Sequence, residues 1–131
     1  MVHLIHWQKP HKNFTMIKIK PHTILVTGGL GFIGSRFIKH VYENTPHNII
    51  NVDMHTYAAD HDRIPSRIRN DIDRYRFLEE DICSNITSYP EVHQADYVVN
   101  FAAESHVDNS IANGKPFINT NVMGVYNLLE Q

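Results

Sequence analysis

Thr27-Gly28-Gly29-Leu30-Gly31-Phe32-Ile33-Gly34 places glycines at the spacing that lets a chain turn tightly and pass close to a bulky anion. Gly29, Gly31 and Gly34 satisfy G-x-G-x-x-G, and Gly28, Gly31 and Gly34 satisfy G-x-x-G-x-x-G. Gly28 or Gly29 permits the turn, Gly31 removes the Cβ that would block a pyrophosphate, and Gly34 lets a following helix lie close to the preceding strand. The first N–H groups of that helix, with its dipole, favour an anion by about 0.3–1 kcal/mol. Such glycines alone also suit a turn that merely caps a strand. Their weight comes from the apolar run before them, the helical stripe after them, and Asp53 about 20 residues further on. A carboxylate there accepts hydrogen bonds from both ribose hydroxyls, unless it is only a solvated strand-end acid. It repels a 2′-phosphate, and Met54-His55 bring no arginine to offset that, so NAD is favoured over NADP.

A second cluster is Asn100-Phe101-Ala102-Ala103-Glu104-Ser105-His106-Val107-Asp108. Ala102 and Ala103 are small enough to let a ligand approach the backbone, and Glu104, Ser105 and His106 put polar groups beside it. Adjacent Ser105, His106 and Asp108 do not have the geometry of a hydrolase triad, which is assembled from separate segments. Asp81-Ile82 suits either an adenine contact or a turn. The 10 histidines are scattered. His3, His6 and His11 share an arm with no preorganised geometry, so no metal site is expected, and His106 suits packing or hydrogen bonding better than catalysis.

These groups need a scaffold, and the periodicity supplies one. Ile24-Leu25-Val26 reads as a strand buried on both faces, and Ile33, Phe37 and Val41 as a helix stripe ending before Pro46. Ile49 to Val52 is a second strand closed by Asp53, and residues 54–73 read as a loop with an irregular helix. Tyr75, Phe77 and Leu78 mark a third strand, Ser84 to Val92 a short helix, and Tyr97-Val98-Val99 a fourth strand reaching about Ala102. Pro116 opens a last helix with the stripe Ile118, Val122, Val125 and Leu129. Strands alternating with helices predict an α/β fold: a Rossmann-type parallel sheet of strand order 3-2-1-4 with flanking helices. Glycine loop, Asp53, Asp81 and the Asn100–Asp108 cluster then all fall at the carboxyl ends of strands, where such sheets bind ligands. The expectation is a flexible N-terminal extension over 1–20, with Met16 as an alternative start, and a partial NAD(P)-binding Rossmann domain over 21–131. The sequence stops inside the last stripe, as if truncated after the fourth strand and its helix.

Composition narrows the partners. Lys plus Arg total 12 against 14 Asp plus Glu, a formal charge of −2, which gives no electrostatic case for nucleic acid or an acidic membrane. Cys83 is the single cysteine, excluding an internal disulfide. No apolar run approaches the ~18 residues of a membrane span, and the first residues lack the order of a secretory signal. A cytoplasmic setting is expected.

Taken together, Thr27 to Ser35, Asp53 with Thr56-Tyr57-Ala58, Asp81-Ile82-Cys83, Ala102-Ala-Glu-Ser-His-Val-Asp108 with Ser110-Ile111, and Thr120-Asn121-Val122 with Gly124 resemble the N-terminal part of the dTDP-glucose 4,6-dehydratase family. That family belongs to the extended short-chain dehydrogenase/reductases. The glycine motif marks only the superfamily, whereas Ala-Ala-Glu-Ser-His-Val-Asp with Thr-Tyr-Ala is much more specific. The resemblance implies that Gly31 and Phe32 lie on the NAD pyrophosphate, with Gly28, Ile33 and Gly34 also in the cofactor site. It puts Asp53, Met54, His55 and Thr56 around the adenosine ribose, and Asp81 and Ile82 at the adenine. Phe101, Ala102, Ala103, Glu104 and Ser105 would line the nicotinamide side with Thr120, and Ser105 would also touch the sugar nucleotide. Met54-His55, Ala59-Asp60 and Asn109 depart from the family's more usual Lys-Leu, Gly-Asn and Arg.

The resemblance implies a lyase reaction: hydride transfer from sugar C4 to NAD, loss of water across C5–C6, and return of the hydride to C6. The family's oxidation uses a Tyr-x-x-x-Lys and its elimination a Thr-Asp-Glu. No tyrosine here has lysine at the fourth position after it, and no Thr-Asp-Glu occurs, so no catalytic residue is assigned. The reading is therefore the NAD-binding N-terminal portion of a nucleotide-sugar dehydratase, inactive alone, whose complete form takes dTDP-glucose. The alternatives are a non-catalytic NAD-binding or dimerisation module that pairs with itself or a full-length homologue, and part of another nucleotide-sugar epimerase or dehydratase.

Overall fold

The computed structural model describes residues 20–106 and 111–131. The expected N-terminal arm up to residue 19, and Val107, Asp108, Asn109 and Ser110 of the second cluster, lie outside the described residues.

Strands β1 (Thr23–Thr27), β2 (Asn48–Asp53), β3 (Tyr75–Glu79) and β4 (Tyr97–Asn100) form one parallel sheet in the order β3-β2-β1-β4. This is the strand order expected from the alternation of elements. The register sets Thr27 opposite Val52 on one side and Asn100 on the other, with Asp53 opposite Glu79. The carboxyl ends of all four strands therefore lie at one edge.

Alternate residues of each strand feed two cores. Ile24, Val26, Ile49 and Tyr75 pack with Leu30, Ile38, Val41, Ile64 and Ile68 on one face. Leu25, Ile50, Val52 and Leu78 pack with Ile86 and the partly buried Leu128 on the other. Asn51 breaks the apolar pattern: it is fully buried, its Nδ2 donates to Tyr75 Oη at 2.9 Å, and its Oδ1 has no hydrogen-bond partner. An unmet buried acceptor costs about 1–3 kcal/mol.

Helix α1 (Phe32–Asn44) buries Gly34, Ser35, Ile38 and Val41, with Phe37 partly buried. Ile33, expected in the inner stripe, is 65% exposed. The cause is Gly34, on which a Cβ would overlap the Gly28 carbonyl oxygen. That contact fixes the helix rotation and carries Ile33, about 100° away, to the outside. Where one helix over Ser84 to Val92 was expected, there are two 3₁₀ turns, Ile86–Ser88 and Val92–Gln94. Tyr89, ahead of Pro90, is held extended at φ −90° and ψ 116°, as a residue before proline prefers, and this breaks the helix. Between β2 and β3 lie a 3₁₀ turn (His61–Arg63) and helix α2 (Ser66–Arg69), in keeping with the irregular segment expected there.

The last helix also departs from expectation. Helix α3 (Lys115–Ile118) runs through a π-helical turn (Asn119–Gly124) into α4 (Val125–Glu130). The expected stripe of Ile118, Val122, Val125 and Leu129 is split: Ile118, Val122 and Leu129 are exposed, while Gly124 is buried and Val125 and Leu128 are partly buried. Gly124 sits where a Cβ would stand 2.6 Å from Ile82 Cδ1. That contact and the wider π turn reset the phase of the helix.

The end of the sheet opposite the ligand-facing edge is cross-tied. The Arg74 guanidinium donates to the carbonyls of Thr45 (2.7 Å) and His47 (2.9 Å) and lies 4.4 Å over the Tyr42 ring. Tyr42 Oη in turn donates to Asp71 at 2.6 Å. Among the described residues, no helix is long and apolar enough to cross a membrane.

Candidate cofactor site

The glycine loop joins β1 to α1 at the ligand-facing edge. Gly28 makes the turn, with φ +67°, in the region that disfavours a side chain. Its N–H donates to Val52 O at 2.9 Å, and a Cβ on it would stand 2.5 Å from the backbone N of Ala102. Turn and close approach thus coincide at Gly28. Gly31 is the N-cap of α1; it offers no side-chain cap, and no acidic residue occupies the first turn. The opening N–H groups of α1 are left for an outside acceptor, which is what an anion needs.

Asp53 is 9% exposed at the end of β2 and is held from two sides. Its Oδ2 accepts the Leu30 N–H at 2.9 Å, and its Oδ1 accepts the His55 N–H at 2.9 Å. Each oxygen keeps a lone-pair direction for a further donor. The Leu30 bond ties the carboxylate to the glycine loop, so the groups expected to meet ribose and pyrophosphate form one unit. His55 carries φ 53°, rare outside glycine, and its ring packs edge-on at 4.5 Å against His61, which packs at 4.9 Å on Phe77.

The opposite wall comes from the segment after β4. Thr27 Oγ1 donates to Asn100 Oδ1, and the Ala102 N–H donates to the same oxygen at 3.2 Å, binding the ends of β1 and β4 together. Beyond them the π-helical turn reaches across. Asn121 Oδ1 accepts the Glu104 N–H at 2.9 Å, and Asn121 Nδ2 donates to Glu104 O at 2.9 Å. One amide side chain thereby satisfies both backbone groups of a loop residue. Tyr57 Oη donates to Glu104 Oε2 at 3.5 Å, and the Tyr57 ring lies 5.4 Å from His106.

These walls enclose a cleft. Of the residues singled out in the sequence, Gly28, Gly31, Asp53, Met54 and Thr56 line it from the β1 and β2 side. Asp81 and Ile82 line it after β3, and Phe101, Ala102, Ala103, Glu104 and Thr120 on the far side. Phe32, Ile33, Gly34, His55 and Ser105 lie outside the lining. Phe32 and Ile33 are exposed at the start of α1, Gly34 packs on the Gly28 carbonyl, and Ser105 is exposed beyond Glu104.

Val52, Ala58, Ala59 and Glu80 also line the cleft and had not been assigned to the site, although Ala58 and Ala59 fall in segments compared with the family. Alternation places Val52 on the sheet face opposite Asp53, so only the register shows that it reaches the edge. Glu80 borders Asp81, and that proximity was the available signal. The Glu80 carboxyl is held below the usual carboxylate range, mainly by the Asp81 N–H and then by the Ser84 and Tyr89 hydroxyls. It is a fixed negative charge rather than a proton donor. A glycine turn, an uncapped helix start, a paired acceptor carboxylate and small alanines together fit a dinucleotide.

The chain is matched over residues 25–131 by the family model described as GDP-mannose 4,6 dehydratase. It is 46% identical over 110 residues to a dTDP-glucose 4,6-dehydratase of Escherichia coli, covering 82% of this chain and 30% of that protein. It is 43% identical over 107 residues to the low-salt glycan biosynthesis protein Agl12 of Haloferax volcanii, covering 82% and 34%. Among solved structures, the dTDP-glucose 4,6-dehydratase DesIV of Streptomyces venezuelae, with NAD and TYD bound, superposes with a TM-score of 0.74 at 37% identity, covering 82% and 34%. The chain thus spans about a third of the length of the relatives it matches. With the family model matching nearly all of the described fold, the chain belongs to the GDP-mannose 4,6-dehydratase family, among whose members it is similar to the dTDP-glucose 4,6-dehydratases.

Proposed function

We propose that these residues are the NAD-binding N-terminal portion of a dTDP-glucose 4,6-dehydratase, with residues 21–131 as part of its Rossmann domain. The observation that carries the reading is Asp53, fixed by the Leu30 and His55 N–H groups at the mouth of the glycine loop. The uncapped start of α1 takes the pyrophosphate and Asp53 takes the ribose hydroxyls, selecting NAD over NADP by charge. Phe32, Ile33 and Gly34 contribute backbone N–H groups from the first turn of α1, and His55 acts through Asp53. Asp81 and Ile82 border the adenine. Phe101 to Glu104, with Thr120, shape the nicotinamide side, and Ser105 faces the sugar nucleotide. When bound, NAD supplies the acceptor and donor of hydride.

Alone, the 131 residues carry no Tyr-x-x-x-Lys and no Thr-Asp-Glu, and the reading gives them binding without turnover. Calorimetric titration of the chain with NAD and NADP, beside a dTDP-glucose conversion assay, tests this. NAD binding well ahead of NADP with no conversion is expected. Absence of NAD binding by the folded chain overturns the reading, and conversion by the isolated chain overturns the assignment of catalysis elsewhere.

A second reading, a non-catalytic module that pairs with itself or a longer homologue, is favoured by the exposed side chains of Ile118, Val122, Tyr126 and Leu129 along α3, the π-helical turn and α4. Sedimentation at several concentrations tests it; a monomer throughout, alone and beside such a homologue, refutes it. A cytoplasmic setting is proposed for either reading.

A further inference from the structure

Asn51 is an anomaly in the middle of β2. It is fully buried on the face covered by α1, and its Oδ1 has no hydrogen-bond partner. It touches the glycine loop from below: a Cβ on Gly29 would overlap Asn51 Oδ1 and stand 2.5 Å from Asn51 Cγ. At its side, toward β4, the loop abuts the Ala102 backbone at Gly28. The Asn51 amide is itself set by Tyr75, which is 5% exposed on β3 and accepts from Nδ2 at 2.9 Å. Leucine has the same side-chain branching and no acceptor to orphan, and the strand around it is apolar, so burial alone does not call for asparagine; leucine's methyls are bulkier, however, and the Tyr75 hydroxyl would lose its donor. What leucine lacks is flatness: its two methyls stand out of the plane in which an amide lies, against the Cα hydrogens of Gly29.

We propose that Asn51, oriented by Tyr75, is a positioning residue for the cofactor: its planar amide sets the height of the glycine loop above the sheet. The inference rests on the proposed NAD site. Raising the loop lifts the start of α1 and the Leu30 N–H that holds Asp53, so pyrophosphate and ribose contacts weaken together. A structural role alone would let any loss of stability in this core weaken binding. A positioning role confines the weakening to the contact under the loop.

The test is calorimetric NAD titration of the chain, far below its melting temperature, for the parent and for Asn51→Leu, Ile68→Val, Tyr75→Phe, Gly29→Ala and Gly29→Ala with Asn51→Ala. Asn51→Leu should melt lower yet, while still fully folded, bind NAD at least about fivefold more weakly, whereas Ile68→Val, a destabilising change in the same core away from the glycine loop, should lower the melting temperature and bind NAD like the parent. Tyr75→Phe, which adds no bulk, should lose about threefold. Gly29→Ala should lose most, and the added Asn51→Ala should restore part of that loss by making room for the new methyl. NAD binding by Asn51→Leu and Tyr75→Phe within twofold of the parent overturns the proposal while leaving the NAD site standing. A parent chain that folds and does not bind NAD overturns both.

Discussion

Replacing Asn121 by alanine isolates the contribution of the π-helical turn to cofactor binding. The residue does not line the cleft; it reaches the site only through the backbone of Glu104, with two hydrogen bonds of 2.9 Å. A net hydrogen bond contributes about 0.5–1.5 kcal/mol, so the pair is worth about 1–3 kcal/mol, toward the lower half because both groups are exposed. If ordering of the 102–104 segment is required for binding, that energy is charged against the ligand. At about 1.4 kcal/mol per tenfold, a loss of about 1–2 kcal/mol weakens NAD by roughly 5- to 30-fold. Asn121→Asp should fall between parent and alanine, since it keeps an acceptor for the Glu104 N–H but sets a carboxylate against the Glu104 carbonyl. Calorimetric titration gives the affinities, and amide hydrogen exchange at Glu104 reports the loosening directly. An alanine variant that binds NAD within twofold of the parent while exchange at Glu104 rises would refute the claim that order in this segment serves binding.

Gly28→Ala combines a positive φ with a Cβ 2.5 Å from the Ala102 backbone, so it should lower the unfolding free energy by more than the roughly 1–2 kcal/mol of left-handed strain alone. A smaller loss in urea denaturation would mean that the loop relaxes freely. Tyr42→Phe should destabilise the chain between roughly pH 4 and pH 10 and converge with the parent at both extremes. The hydrogen bond from Tyr42 holds the Asp71 carboxyl below its usual 3.8, so its contribution is present above that value and lost as pH falls through the lowered one. The same bond holds the Tyr42 hydroxyl above its usual 10.0, so the contribution is lost again as pH rises through the raised value. Thermal melts across pH check this, and a constant difference at every pH would refute it. Asp53→Asn should narrow the preference for NAD over NADP, read from paired titrations, because it removes the charge that repels a 2′-phosphate.

Much of this architecture was legible because it depends on short-range patterns. Ile24-Leu25-Val26 and Ile49 to Val52 are too apolar and too short for anything but buried parallel strands, and the glycine loop with Asp53 fixes the edge that binds. The features that sequence did not reveal depend on contacts between distant segments. Nothing near Val122 says that Gly124 must meet Ile82, and at Ile33 two local patterns competed: the glycine motif put Gly34 against the preceding strand, the apolar stripe put Ile33 inward, and the Gly28 carbonyl decides for the first. In the site, Asp53 was readable from its position, but its two backbone donors, one from Leu30, belong to the folded chain. Asn121 carried a signal only through the family resemblance, since its partner lies in a loop with no local pattern. Val107 and Asp108 were read as part of the same ligand-facing loop and lie outside the described residues.

The π-helical turn divides one continuous helix into two independently indexed parts. Within it, Thr120 lines the cleft and Asn121 holds the Glu104 backbone; beyond it, Asn127 Nδ2 donates to the carbonyls of Ile82 and Ser84 at 2.7 Å each. A regular helix would hold those two sets in one fixed angular relation, so moving either would move the other. The extra residue in the turn acts as a phase offset of about 100° between them. Deleting a single residue within 122–124 would leave Asn127 anchored and turn Thr120 away from the cleft and Asn121 away from Glu104, even though every remaining side chain kept its identity.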